Sequence, residues 1–313
     1  ENYFKCPFYY FVNNILKIKP DIENDIQSLD VGNILHEILF VYYKKNKKVG
    51  EIYDFCKTQV FKILDRDERL KINANSPIII NLIDEAVRVI NGLNYIDQNT
   101  LFKPMYFEYE FDRENALHLK DVDLVGKVDR IDCYNDSLRV IDYKSGRAEA
   151  SLKELFYGNK LQLFLYSVAI ENSIKKHTIG GFYLPLHNAY VRDLTNTYSL
   201  KGFFENDVDT VHALDKRLEP GSKSDIVNVN MNKSYLATRT SGYKELSRDE
   251  MGDLKKYAID VSNNAIDEIK SGYIKPTPSD ISKPCDYCPY IHICMRASNG
   301  INYRRSKKVI PAS

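Results

Sequence analysis

Asp142 and Lys144 stand two apart in the segment Val140-Ile141-Asp142-Tyr143-Lys144-Ser145-Gly146, and Asp129 stands in the preceding Gly126-Lys127-Val128-Asp129-Arg130-Ile131-Asp132. On a strand of period two, Asp142 and Lys144 project from one face and Ile141 and Tyr143 from the other. Asp129, on the adjoining strand of a hairpin, approaches Asp142 across the ladder. Carboxylates that close raise each other's pKa unless a cation lies between them, and hard, oxygen-seeking Mg2+ or Mn2+ suits them. Such an ion polarises a phosphate, lowers the pKa of a bound water and neutralises developing charge. Lys144 would orient the water or meet charge on the phosphoryl oxygens; a protonated lysine is not a base. The chemistry indicated is phosphodiester hydrolysis.

Three further features gather around this core. Gln162 and Tyr166 are four apart, hence on one helix face, and both can hydrogen-bond a phosphate backbone or a lysine. His36 lies beside Glu37 in a helical pattern and gains meaning as a ligand only from the rest of the set. Glu108 and Glu110 lie on the strand before that of Asp129, where one of them can face the site. Near the end, Cys285-x-x-Cys288 and Cys294 place three thiols in a short loop. They fit either a zinc knuckle with His292 as fourth ligand, or a four-thiolate centre that recruits Cys6 from the other end of the chain. Cys56 and Cys133 sit in apolar contexts and read as plain buried thiols.

The elements that must position these residues are legible from periodicity and punctuation. Residues 7–18 read as a short helix with Pro7 in its first turn, and Val31 to Tyr43 as a second, with Leu35 and Leu39 in its apolar stripe. Gly32 allows another element to approach closely. Residues 50–100 read as a helical layer without chemistry, the core of an insertion at about 45–102. Strands are expected over Met105–Phe111, Asp121–Tyr134 and Ser137–Tyr143, the last two joined by a tight turn at Asn135-Asp136. A helix is expected over Leu155–Glu171, then a strand pair over His177–Pro185 and Tyr190–Leu194 with a turn at His187-Asn188. Glu219–Asn232, with Pro220-Gly221, reads as a loop or poorly ordered segment. A last helix over Glu250–Ser271 ends at Gly272, Pro276 and Pro278 and leads into the cysteine loop, about 276–296.

The formal net charge of +1 gives no global pull toward nucleic acid, so DNA contact must come from local runs: Lys44, Lys45, Lys47 and Lys48; Lys175 and Lys176; Arg304, Arg305, Lys307 and Lys308. Six cysteines in 313 residues do not make a disulfide scaffold, and no apolar run spans a membrane, so the reading is intracellular. The start at Glu1 suits a piece of a longer protein. No P-loop motif is present, so ATP-driven translocation would belong to a missing region or a partner.

The ordered set of motifs resembles the RecB-like branch of the PD-(D/E)XK nuclease superfamily, and within it the nuclease domains of AddB-type subunits of AddAB helicase–nucleases. The motifs are Cys6-Pro7-Phe8, Gly32 to His36, Gly126 to Asp132, Val140 to Gly146, Gln162 to Tyr166 and the tail Cys285 to Cys294. The resemblance implies an α/β restriction-endonuclease-like core, a mixed sheet flanked by helices, forming a single nuclease domain over residues 1–313. It implies that His36, Asp129, Asp142 and the Tyr143 carbonyl hold Mg2+ or Mn2+, that Lys144 is catalytic, and that Gln162 and Tyr166 lie near a DNA strand. It also implies a [4Fe–4S] cluster on Cys6, Cys285, Cys288 and Cys294 that staples the chain ends, an AddA-like partner, and exonuclease action on DNA ends in break repair in a bacterial cytoplasm. Two other readings stand beside it: a non-catalytic DNA-end scaffold, and a free-standing CRISPR-associated-type iron–sulfur nuclease.

Overall fold

The computed structural model describes residues 1–18, 28–66, 76–112, 114–146, 150–186, 198–227, 229–238, 246–279 and 284–294. Its centre is a five-stranded mixed sheet. In chain order its strands are β1 (Lys103–Phe111), β4 (Gly126–Tyr134), β5 (Ser137–Lys144), β6 (His177–Pro185) and β7 (Lys201–Phe204); β2 (Leu117–Leu119) and β3 (Val122–Leu124) form a separate ribbon. The spatial order is β1-β4-β5-β6-β7, with β5 and β6 parallel and the other neighbours antiparallel. This is the expected mixed α/β sheet. The β4–β5 turn forms at Asn135-Asp136, where Asn135 takes φ 54°, a left-handed conformation that asparagine tolerates.

The hairpin register decides what faces the site. Arg130 pairs with Ile141, Ile131 with Val140 and Asp132 with Arg139. One face therefore carries Asp129, Ile131, Val140, Asp142 and Lys144, and the other carries Arg130, Asp132, Arg139, Ile141 and Tyr143. The second face is covered by α3 (Ser28–Lys44), α4 (Ile52–Leu64) and α5 (Pro77–Asn99), whose apolar stripes supply Leu35, Ile38, Leu39, Val60, Val89 and Ile90 to one core with Ile141 and Tyr143. The first face packs on α7 (Gln162–Ile174) and α9 (Arg248–Lys270), where Leu163, Phe164, Ala169, Leu254 and Ala258 join Ile131 and Val140. Helix α9 starts in a capping box between Ser247 and Glu250. Among the described residues, no helix is long and apolar enough to cross a membrane.

The structure departs from several expectations. The helix expected over Leu155–Glu171 is two helices, α6 (Leu152–Phe156) and α7, because the connecting loop turns through Gly158 at φ 78° and Lys160 at φ 60°. The strand expected over Asp121–Tyr134 divides at Val125. The strand beside β6 is β7, whereas Tyr190–Leu194 and the turn at His187-Asn188 lie outside the described residues. The described residues of 219–227 are turns and bends, as expected of a loop, but Ile226, Val227, Val229 and Met231 are buried in the core, which the polarity at 219–225 hid. The residues from 7 onward form a short helix, α2 (Pro7–Tyr10), that continues as a π-helical turn over Phe11–Ile15.

Candidate active site

Four elements converge at one end of the hairpin. Helix α3 brings His36, strand β1 brings Glu108, β4 brings Asp129, and β5 brings Asp142 and Lys144. Gly32 lets α3 come this close: a Cβ there would lie 2.8 Å from Ser145 Cβ, just past the end of β5. In β1, Phe107 pairs with Arg130 and Tyr109 with Val128, so Glu108 sits opposite Asp129. Glu108 holds φ 50°, a costly backbone for a non-glycine residue and one found disproportionately at functional sites. Ligand atoms of His36, Glu108 and Asp129 lie within 4.8 Å of one another, the only such group of His, Cys, Asp or Glu side chains among the described residues. His36 Nδ1 is 3.3 Å from Asp129 Oδ1, and the Tyr143 amide donates to Asp129 Oδ2 at 2.6 Å. Glu108 also pairs with Lys127. Burial acts most strongly on His36 and opposes its charge, but Asp129, Glu108 and Asp142 together raise its pKa.

Beside this group lies a hydrogen-bonded chain. Lys144 Nζ contacts Asp142 Oδ2 at 2.6 Å and donates to Gln162 Oε1 at 2.7 Å. Gln162 Nε2 in turn donates to Asp142 Oδ1 at 2.8 Å and to Tyr166 Oη at 2.9 Å. One amide thus fixes both the lysine and the carboxylate from the first turn of α7. Burial pushes the Asp142 carboxyl up to about 6; Lys144 pulls it down and the charge of Asp129 adds to the rise. A cation beside Asp142 and Asp129 would oppose that penalty, and the cluster offers two carboxylates and an imidazole as donors.

The sequence has counterparts among known proteins. Residues 1–295 match the family model of the PD-(D/E)XK nuclease superfamily. The chain belongs to that superfamily. It is also 27% identical to the B subunit of the ATP-dependent helicase/deoxyribonuclease of Clostridioides difficile (strain 630), over 94% of this chain and 29% of that protein. The corresponding B subunits of Staphylococcus haemolyticus (strain JCSC1435) and of Thermoanaerobacter sp. (strain X514) are each 27% identical, over 94% and 96% of this chain and 30% and 29% of theirs. The chain spans about three tenths of the length of these curated relatives.

Within the PD-(D/E)XK fold, the side chains and backbone positions singled out on α3, β4, β5 and α7 reach one region. Asp142 is bound to Lys144 and Gln162, while Glu108 completes the compact group with His36 and Asp129. Between the two glutamates of β1, sequence reasoning had no means of choosing. The positive φ at Glu108, which sets its direction, leaves no mark in composition, and Glu110 points outward.

The first and last described segments also meet. Ser279 N–H donates to Lys5 O at 2.9 Å, Tyr290 Oη donates to Ile18 O at 2.6 Å, and the rings of Tyr9 and Tyr290 lie 5.5 Å apart. None of the six cysteines forms a disulfide. Burial raises the Cys6 thiol, with Cys285 and Cys288 near enough to add to the rise; Cys288 is likewise raised, by burial first and then by Cys285 and Cys294. His292 is exposed. Cys56 is fully buried and pushed up to about 12, as a plain core thiol should be. Cys133 departs from that expectation: it is half-buried and bonds Asn135 O and Lys176 Nζ.

The lysine runs prove mostly structural where described. Lys47 pairs with Asp97 at 2.5 Å, and Lys44 and Lys45 lie over the rings of Phe40 and Phe55. Lys176 donates to Asn135 O, and Arg304 to Lys308 lie outside the described residues.

Proposed function

We propose that this chain is the nuclease domain, over residues 1–313, of an AddB-like helicase–nuclease, a Mg2+- or Mn2+-dependent exodeoxyribonuclease acting at DNA ends in break repair in a bacterial cytoplasm. The observation that carries the reading is the joining of His36, Glu108 and Asp129 to the Asp142–Lys144–Gln162 chain at one end of a PD-(D/E)XK sheet. His36, Asp129, Asp142 and the Tyr143 carbonyl, joined by Glu108, would hold the metal. When bound, the ion supplies Lewis acidity toward a phosphoryl oxygen and a more acidic water.

The chain's own residues do the rest. Gln162 holds Lys144 and Asp142 in fixed relative positions. Lys144 directs its ammonium at the phosphate or the attacking water and offsets charge as it develops. Tyr166, through Gln162, extends the site along the bound strand. Partnership with an AddA-like helicase is supported by the relatives, which are themselves subunits of helicase/deoxyribonucleases and about three times longer than the part that this chain matches.

For Cys6, Cys285, Cys288 and Cys294 the reading is a [4Fe–4S] cluster that joins the chain ends. Thiols from the first and last described segments, close enough to influence one another electrostatically, support it. No cysteine belongs to a group of three donors within 4.8 Å among the described residues, whereas one tetrahedral zinc would hold its sulfurs about 4 Å apart.

The test is end-labelled linear DNA, single- and double-stranded, with Mg2+, Mn2+ or EDTA, on anaerobically purified protein and on Asp142→Ala. Metal-dependent cleavage that Asp142→Ala lacks is expected. Equal cleavage by the two proteins would refute the site, and DNA binding without cleavage at any metal concentration would favour the scaffold.

A further inference from the structure

Lys160 is the residue immediately before the N-cap of α7, two positions ahead of Gln162, and it takes φ 60°. Its loop is rigid. Gly158 N–H donates to Leu155 O and Asn159 N–H to Glu154 O, both at 2.9 Å, and Tyr257 Oη donates to Phe156 O at 3.0 Å. Phe4 packs so tightly on Gly158 that a Cβ would lie 2.2 Å from its ring.

The lysine's ammonium lies 5.1 Å from the centroid of the Tyr183 ring, and the ammonium of Lys144 lies 5.3 Å from the same centroid. The two charges are therefore at most about 10.4 Å apart. Tyr183 is opposite Asp142 in the β5–β6 register, fully buried, and its hydroxyl bonds none of the described residues. What this tyrosine offers is its ring. Lys144 has Asp142 as a carboxylate partner, whereas Lys160 has none among the described residues; Glu154 lies near Tyr183 but makes no ion pair with Lys160. The carboxylates of Glu1, Asp142 and Glu154 also lie near this ring, but among the described residues only Lys144 of the two lysines is within ion-pair distance of one, so the Lys160 ammonium is the one placed to meet an incoming anion.

We propose that Lys160 binds the phosphate next to the scissile one on the same DNA strand, so that the site reads at least two consecutive phosphates. The inference rests on the nuclease reading given above. A strand rises about 3.4 Å per nucleotide, so neighbouring phosphates fall within the span of the two ammonium groups. Lys144 serves the scissile phosphate, Lys160 its neighbour, and Tyr183 sets the distance between them.

The test uses the full chain, a short fluorescein-labelled oligothymidine, and a series in which one neutral methylphosphonate is moved through the strand. Binding is read in Ca2+ by anisotropy and cleavage in Mn2+. Lys160→Gly should bind about tenfold more weakly, with the slope of log affinity against log salt reduced by about 0.7, and the greater part of its loss in kcat/KM should fall on KM. It should melt at or above the wild-type temperature, because glycine relieves the backbone. Lys160→Arg should restore affinity and slope. One methylphosphonate position should weaken wild type and have no further effect in Lys160→Gly. Wild-type affinity and slope in Lys160→Gly, or additive losses with every methylphosphonate, would overturn the proposal while leaving the nuclease reading intact. A wild-type protein that neither binds nor cleaves the strand would overturn both.

Discussion

The two faces of the β4–β5 hairpin carry the same kinds of residue and do different work. On one face, Asp132 is fully buried between two arginines: Arg130 Nε donates to it at 2.6 Å and Arg139 Nε at 2.9 Å. Arg130 also donates to Tyr43 Oη at 2.6 Å and pairs with Asp97, which receives Lys47 as well. Three cations share two carboxylates in this network, and all of its members but Lys47 are buried. On the other face, Asp129 is 11% exposed and His36 28% exposed, and Asp129 lies near another carboxylate, Glu108. Burial leaves Asp142 with a raised pKa in spite of Lys144. On the Asp132 face both carboxylates are held by cations. The other is short of positive charge at its carboxylates, as the proposed metal site requires. In Gly-x-x-Asp-Arg-x-Asp the first aspartate is thus available for chemistry, and the arginine and second aspartate hold the sheet to the α3–α5 layer.

The comparison breaks most visibly at Asp142. Asp142→Asn should lower the cleavage rate at least about a thousandfold, while thermal melting stays level or rises because a charge whose burial is unfavourable has gone. A single-turnover assay beside a melting curve checks both halves, and a large fall in melting temperature would mean that Asp142 belongs with the structural face. Arg139→Ala comes next. It leaves the buried Asp132 with one arginine and should cost about 3–5 kcal/mol, measured by urea unfolding. A loss under about 1 kcal/mol would show that Asp132 does not need both arginines.

Gly158→Ala should cost about 2 kcal/mol from its left-handed backbone and the Phe4 ring, and should also slow cleavage, since that loop carries Gln162. Normal stability in that variant would contradict the tight seat of Phe4 on Gly158.

The smallest effect is a pH dependence far from the site. His177 bonds Glu205 at 2.6 Å and Glu171 at 3.1 Å, and the two glutamates raise its pKa to about 9. A raised folded-state pKa means that the charged histidine stabilises the fold fully below the unfolded value of about 6.5. That contribution fades as pH rises through about 9. His177 is 31% exposed, so about 1 kcal/mol is expected between pH 6 and 10, seen as the difference between wild type and His177→Gln in urea unfolding. A difference that does not change with pH would remove the pair.

Much of this was legible in the chain because the decisive signals are local. The Asn135-Asp136 turn sets the register, the period of two places Asp129, Asp142 and Lys144 together, and the spacing of four joins Gln162 to Tyr166. What stayed hidden depends on distant partners or on backbone angles. Nothing local marks Asp97, on α5, as the partner of Arg130 on β4. The choice between Glu108 and Glu110 turns on one φ angle. The break between α6 and α7 turns on Gly158 and Lys160, of which the lysine looks like ordinary helix surface. The buried residues Ile226, Val227, Val229 and Met231 are too few and too interrupted to announce their burial.

The most direct test sets Asp129→Asn beside Asp132→Asn, with Mn2+-dependent cleavage of end-labelled DNA and thermal melting measured on both. Asp129→Asn should lose cleavage and keep its melting temperature; Asp132→Asn should lose melting temperature, with whatever fraction stays folded still cutting. Wild-type cleavage by Asp129→Asn, or wild-type melting of Asp132→Asn, would contradict the division of the hairpin into a working face and a structural one.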